Sequence, residues 1–187
     1  MRPRRVVVTG LGTVNPCGLD VPTTWDAMVQ ARSGTGLITR FDASDLPVQI
    51  AAQVDGYDGV EHFGKRAVRR LGLFMQYAMT AADQAMVDGG FDLQQVMDTA
   101  ADDDGPFDKD RFGVYIGTGI GGFPEIQEGA EARIDEGTKR ISPFFIPGAL
   151  NNLALGQVAI RFGLRGPSLC IATACAVGNH SIGEAWR

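Results

Sequence analysis

An α/β fold, with helices layered on a mainly parallel sheet, is what three features of this sequence predict. Short apolar segments of strand type alternate with segments of helical period. One of those strands runs into a glycine-rich turn and then a helix, the order of a parallel unit. Of the 187 residues, 44% are hydrophobic and 21% charged, a balance that can bury a substantial core. No low-complexity tract, linker or strong repeat interrupts the pattern, so residues 1–187 are expected to form a single domain.

From the N-terminus, residues 5–9 (RVVVT) read as a buried first strand. The basic start is like that of a signal peptide, but three valines are too few for its apolar region and far too few to cross a bilayer. Pro22 opens a helix with Trp25, Met28 and Val29 at helical spacing, stopped by Ser33-Gly34. Residues 47–54 (PVQIAAQV) form a weakly alternating strand. The longest helical pattern spans 65–88: Leu71, Phe74, Met75, Ala78, Met79, Ala82 and Met86 trace one apolar face, and Gly89-Gly90 ends it. Residues 98–110 hold six aspartates in thirteen positions, the composition of a solvated loop. A strand at 111–117, a helix over 122–136, an apolar loop at 142–148 (SPFFIPG) and a helix over 149–162 closed by Gly163 follow. The last strand, 167–174 (PSLCIATA), delivers Cys175 to a helix beginning near Ala176. That helix has no stop signal before Arg187, so the chain is read as ending inside an element.

Bulk properties narrow the function. A formal net charge of -5 argues against a general nucleic-acid binder, which needs a basic surface. Three cysteines, Cys17, Cys170 and Cys175, lack metal-type spacing and suit a reducing compartment, with the cytoplasm expected.

Three places can carry chemistry. Gly117, Gly119 and Gly122 satisfy G-x-G-x-x-G between a strand and a helix, the context of a dinucleotide fingerprint. The acidic residue that should hold a ribose at a second strand end is missing, and tight backbone packing is the alternative. Cys175, at a strand-to-helix turn, has its sulfur near the unpaired N–H groups and positive end of a helix, both of which favour thiolate. Ala174, Ala176 and Gly178 leave room for a substrate, and the Cys175 N–H is a candidate oxyanion donor. The competing reading is a small buried apolar residue. His180 stands about 140° round the helix from Cys175 and His62 lies in a polar connection, so neither is a convincing base. Finally Lys65, Arg66, Arg69 and Arg70 gather on one predicted helical face in an acidic protein, either a solvated face or a dock for an acidic partner. Lys139 and Arg140 join that patch only if the fold brings them near.

Four ordered stretches, RRVVVTGLGTVNPCG, IGTGIGG, KRISPFFIPGALNN and FGLRGPSLCIATACAVGNHSIGEAWR, resemble the bacterial β-ketoacyl-[acyl-carrier-protein] synthases of fatty-acid synthesis, the synthase II type above all. The resemblance runs from residue 4 to residue 187. It implies a thiolase-like α-β-α-β-α fold of two similar halves, of which only the first is present, and a homodimer. It also implies that Cys175 accepts an acyl chain from acyl-carrier protein, after which malonyl-carrier protein decarboxylates and its carbanion attacks the thioester. The two histidines and the lysine serving that second step belong to the absent half, with the second oxyanion donor. By the same resemblance Ile120 and Ala174 line the acyl pocket, Phe145 and Ile146 reach the neighbouring subunit's pocket, and Arg66, Arg69, Arg70, Lys139 and Arg140 dock the carrier. Cys17 carries no implied chemistry, the aspartate-rich loop reads as a surface insertion, and no metal, cofactor, nucleic acid or membrane is implied. A non-catalytic pairing or carrier-binding subunit and an NAD(P)-dependent oxidoreductase are the alternatives.

Overall fold

The computed structural model describes residues 5–99 and 107–187. Helix α1 (Val21–Val29) starts where Pro22 predicts, and Asp20 caps it by accepting bonds from the Thr23 hydroxyl at 2.6 Å and the Thr23 N–H at 2.8 Å. Those bonds hold the Asp20 carboxyl below its ordinary pKa, the hydroxyl acting most. The helix buries Thr24 and Ala27, whereas the apolar Trp25, Met28 and Val29 face outward. Strand β1 (Thr35–Leu37), which the sequence pattern does not announce, pairs antiparallel with β2 (Ile50–Ala52), the shortened form of the strand expected at 47–54.

The helical pattern read as one element over 65–88 is two. Helix α2 (Gly59–Val68) ends at Arg69, and α3 (Leu73–Asp88) restarts after Gly72. Gly72 sits against the Gly148 carbonyl and the Glu125 carboxylate, so the chain is drawn into the interior where the pattern predicts a continuous turn. A second irregularity falls at Gly64, whose φ of 77° interrupts α2. The C-terminal stop of α3 at Gly89-Gly90 is as predicted. Helix α4 (Leu93–Asp98) follows.

Seven of the residues assigned to an aspartate-rich surface insertion, 100–106, lie outside the described residues. The far flank departs from a solvated loop: Lys109 is buried, and its ammonium donates at 2.7 Å to the Val96 carbonyl and at 2.7 Å to the Thr99 carbonyl. It thus donates to carbonyls at the C-terminal end of α4, where helical donors run out.

Strand β3 (Val114–Tyr115) keeps two residues of the seven expected at 111–117, and helix α5 (Phe123–Asp135) follows the glycine turn. The stretch read as a loop at 142–148 contains a short helix, α6 (Phe145–Ala149). Extended backbone at Leu150 separates it from α7 (Leu153–Phe162), which therefore starts later than the predicted 149. Gly163, at φ 66°, closes α7 in the left-handed conformation that favours glycine. Strand β4 (Ser168–Leu169) pairs in parallel with β3, Val114 opposite Ser168 and Tyr115 opposite Leu169. Helix α8 (Val177–Trp186) ends the described chain.

The expected first strand at 5–9 is not formed: residues 5–9 have no regular secondary structure, and Val6, Val7 and Val8 are exposed. Beyond them the backbone turns to α3 for its bonds. Leu11 N–H donates to the Asp88 carboxylate at 2.8 Å and Thr13 N–H to Gln84 Oε1 at 2.9 Å. Gly10 and Gly12 lie so close to the Ala85 and Ala81 carbonyls of α3 that no Cβ fits.

The core lies between α3 and α7 over β3. Met75, Met79 and Met86 meet Ala154, Leu155, Val158 and Phe162, with Val96 and Val114 at the flanks. Phe162, Met75 and Val96 are the largest side chains wholly removed from water. One polar clamp crosses this layer: Arg161 of α7 donates to both Asp83 oxygens of α3, at 2.6 and 2.8 Å. Among the described residues no helix is long and apolar enough to cross a membrane.

Candidate active site

Cys175 stands in a single 3-10 turn, Ala174–Ala176, that joins the segment after β4 to α8. The turn is tight for a physical reason. Gly117, at the end of the β3 segment, packs against the Ile171 carbonyl and the Val177 side chain, leaving no space for a Cβ, so β3 and the start of α8 close on each other. Ala174 takes up the bend with φ 48°, a left-handed conformation that costs an L-residue with a side chain about 1 kcal/mol or more. Cys175 is thereby left exposed at the N-terminal end of a ten-residue helix, not buried as a small apolar filler.

The two other cysteines have different surroundings. Cys170 is half-buried, and burial pushes its thiol up while an N–H bond from Thr118 acts in the opposite direction. Cys17 is half-buried near the N-terminus, its N–H donating to Asn15 Oδ1 at 2.8 Å.

Neither histidine is brought into service at Cys175. His180 Nδ1 lies 3.4 Å from the Thr173 hydroxyl, within hydrogen-bond reach, and its Nε2 lies 3.8 Å from Glu184 Oε1 on the next turn of α8. His62 sits on α2 rather than in a connection, and its ring stacks on Tyr57 with centroids 5.3 Å apart.

The glycine-rich turn is a packing device. Gly121, at φ 86°, is pressed against Asn151 and the Ala149 carbonyl, and Gly122 against the Gly148 carbonyl. Of the three fingerprint glycines, Gly117 and Gly122 are therefore filled by neighbouring backbone, which favours the packing alternative over a phosphate cradle. Gly119 differs: a Cβ there would stand 3.9 Å from Ala174, an ordinary contact. The turn thus runs directly beside the residue preceding Cys175. Ile120, next along, is exposed.

Two of the basic residues on α2 do not share one helical face, because α2 ends between them: Arg66 is in its last turn and Arg69 is its cap. The fold reassembles part of the patch. Arg69 and Arg70 line a cleft of about 360 Å³ whose opposite wall carries Arg140, Phe144 and Phe145. Arg70 is steadied there by the Phe144 ring, its guanidinium carbon 5.1 Å from the centroid. Arg140 pairs with Glu136 at 3.4 Å. Arg66 and Lys139 are exposed and are not part of this cleft. Phe145 packs on Gly129 of α5, whereas Ile146 points outward.

Sequence reasoning missed Glu125 in the same cleft. Its Oε2 is buried without a hydrogen-bond partner among the described residues, held over Gly72 and Gly122. The only signal was its position three residues into a helix opened by Pro124, where a carboxylate suits the helix dipole.

The chain is thus a layered α/β domain that carries an exposed cysteine on a strained turn leading into a helix, beside a glycine-packed loop. The sequence comparisons make the assignment: the chain belongs to the family described as β-ketoacyl synthase, N-terminal domain, which matches residues 3–187. It is 43% identical over 187 residues to the 3-oxoacyl-[acyl-carrier-protein] synthase 2 of Coxiella burnetii, and 39% identical over 187 residues to that of Vibrio harveyi. All of this chain is covered in both matches, but it spans only 42% of the length of either relative. Among solved structures, a β-ketoacyl synthase from Burkholderia phymatum matches with a TM-score of 0.77 at 22% identity, over 98% of this chain and 43% of that one. A ketosynthase solved in complex with its type II PKS acyl-carrier protein also matches, with a TM-score of 0.77 at 24% identity, over 97% of this chain and 45% of that one. The fold is the thiolase-like α/β fold of those ketosynthases, of which this chain supplies the N-terminal part.

Proposed function

We propose that this chain is the N-terminal portion of a 3-oxoacyl-[acyl-carrier-protein] synthase of the synthase II type, and that Cys175 is its acyl-accepting nucleophile. The observation that carries the reading is the exposed Cys175 at the start of α8, on a turn strained at Ala174. In the first half-reaction the Cys175 thiolate attacks the carbonyl of an acyl thioester on the carrier protein. The oxyanion that forms meets the Cys175 N–H, collapse expels the carrier thiolate, which takes up a proton, and an acyl-Cys175 thioester remains. Decarboxylation of the malonyl thioester and attack of its carbanion on acyl-Cys175 then lengthen the chain by two carbons. Those steps fall to the histidines and lysine that the family carries in its second half.

Ile120 and Ala174 border the acyl group in this reading, and Phe145 and Ile146 serve a homodimer, Ile146 being an exposed apolar side chain suited to a neighbouring pocket. Arg69, Arg70 and Arg140, gathered on one cleft, dock the acidic carrier, with Arg66 and Lys139 widening the surface. The three cysteines are unpaired, the state a reducing cytoplasm maintains.

Incubation with acyl-loaded carrier protein, read by intact mass, tests the proposal. The expected result is one acyl adduct that disappears in Cys175→Ala. An adduct that persists in Cys175→Ala, or none from the folded chain, would overturn the assignment.

A further inference from the structure

Beside the cleft that holds Arg69, Arg70 and Arg140 lies a second one, of about 600 Å³, between α2 and α7. Its rim carries His62, Arg66 and Arg70, its far wall Gln157 and Arg161, and Met79 contributes to its floor. Arg70 belongs to both clefts and forms the ridge between them. The two clefts differ in charge. Glu125 and Glu128 stand in the first beside its arginines, whereas among the described residues no carboxylate lines the second. Arg161 reaches the second cleft already clamped to Asp83 through Nε and Nη2, and its guanidinium lies 5.3 Å from the centre of the Phe63 ring. It is thus a pre-oriented donor whose Nη1 takes no part in the Asp83 bonds.

We propose that this α2–α7 cleft takes a second acidic side chain of the carrier protein, so that the carrier straddles Arg70 with a carboxylate on either side. The inference rests on the carrier-docking reading and extends it to Gln157 and Arg161, which no sequence motif marked. Arg66 and Arg70 attract the carboxylate, and Gln157 sets how deeply it enters. Because the first cleft holds its own carboxylates and the second does not, the second cleft discriminates more strongly for acidic over neutral partners.

Gln157 offers the test, because its half-buried side chain lines the cleft one helical turn before Arg161 and can be replaced by either charge. Carrier affinity is measured by fluorescence anisotropy at low and raised salt for the full chain, Gln157→Glu, Gln157→Lys and, in the first cleft, Arg69→Glu. Gln157→Glu is expected to weaken binding on the order of fivefold and Gln157→Lys to tighten it by a similar factor, both differences shrinking in salt. Two Gln157 variants that bind within about twofold of the parent chain, while Arg69→Glu binds more weakly, would overturn the second cleft and leave the docking reading standing. Failure of the parent chain itself to bind the carrier would overturn the docking reading, and this inference with it.

Discussion

Helices α7 and α8 have the same length, ten residues each, and meet opposite fates. The first buries Ala154, Leu155, Val158 and Phe162 against α3, whereas the second buries only Ser181 and leaves Ile182 and Trp186 exposed. Propensity and period define both as helices, but burial is decided by what stands opposite. Helix α7 has the apolar face of α3 before it, while α8 has the narrow β3 segment, closed on at Gly117. The scaffold and the candidate site are therefore separated: the tight packing is at α3–α7, and Cys175 sits at the loosely covered start of α8.

The largest expected effect that breaks this symmetry is Phe162→Ala, which should cost about 3–5 kcal/mol of stability by urea denaturation. The matching change Ile182→Ala on α8 should cost less than about 0.5 kcal/mol, and comparable losses at both sites would refute the contrast. Next comes the clamp between α3 and α7. Removing one partner of the Arg161–Asp83 pair, each side chain only about one-fifth exposed (22% and 18%), with Asp83→Asn should cost about 1–3 kcal/mol. At the edge of the structure, Asp20→Ala should cost about 1 kcal/mol through the lost α1 cap. Since Asp20 titrates below its ordinary value, its contribution is complete above that value and fades as the pH falls through the lowered one. A parent and variant whose stability difference did not shrink in acid would contradict the role of its carboxylate.

Smaller and opposite in sign is Ala174→Gly. Relief of the left-handed strain should stabilise the fold by up to about 1 kcal/mol while slowing acylation of Cys175, because the turn gains freedom. Stability and acylation rate, measured side by side, test whether the strain serves the site; an unchanged or faster rate would detach it. The smallest effect is one of selectivity. Iodoacetamide should modify exposed Cys175 before half-buried Cys170, and Cys170 should gain as the pH rises, since burial raises its thiol. Peptide mass mapping over a pH series reads both.

The layered α/β order, the helix start at Pro22, the stops at Gly163 and Gly89-Gly90 and the delivery of Cys175 to a helix start were legible because each is encoded within a few neighbouring residues. The break at 69–72 was not, since it depends on Gly72 meeting Gly148 and Glu125 from elements far along the chain. Nor was the fate of Val6–Val8: an apolar run specifies a strand only where a ladder partner exists, and Leu11 and Thr13 bond to α3 side chains instead. At the site, Cys175 was visible through its motif, and so were the arginines. Their division between two clefts was not, because it arises from the end of α2 at Arg69 and from Arg161 on a different helix.

The glycine loop beside Cys175 also marks out where this site is free to evolve. Gly117, Gly121 and Gly122 are walled in by neighbouring atoms, so substitution there strains or displaces the scaffold before it can alter chemistry. Gly119 alone among the four admits a methyl group at ordinary contact with Ala174. Natural variation at that one position can therefore reshape the approach to Cys175 while the fold is inherited unchanged.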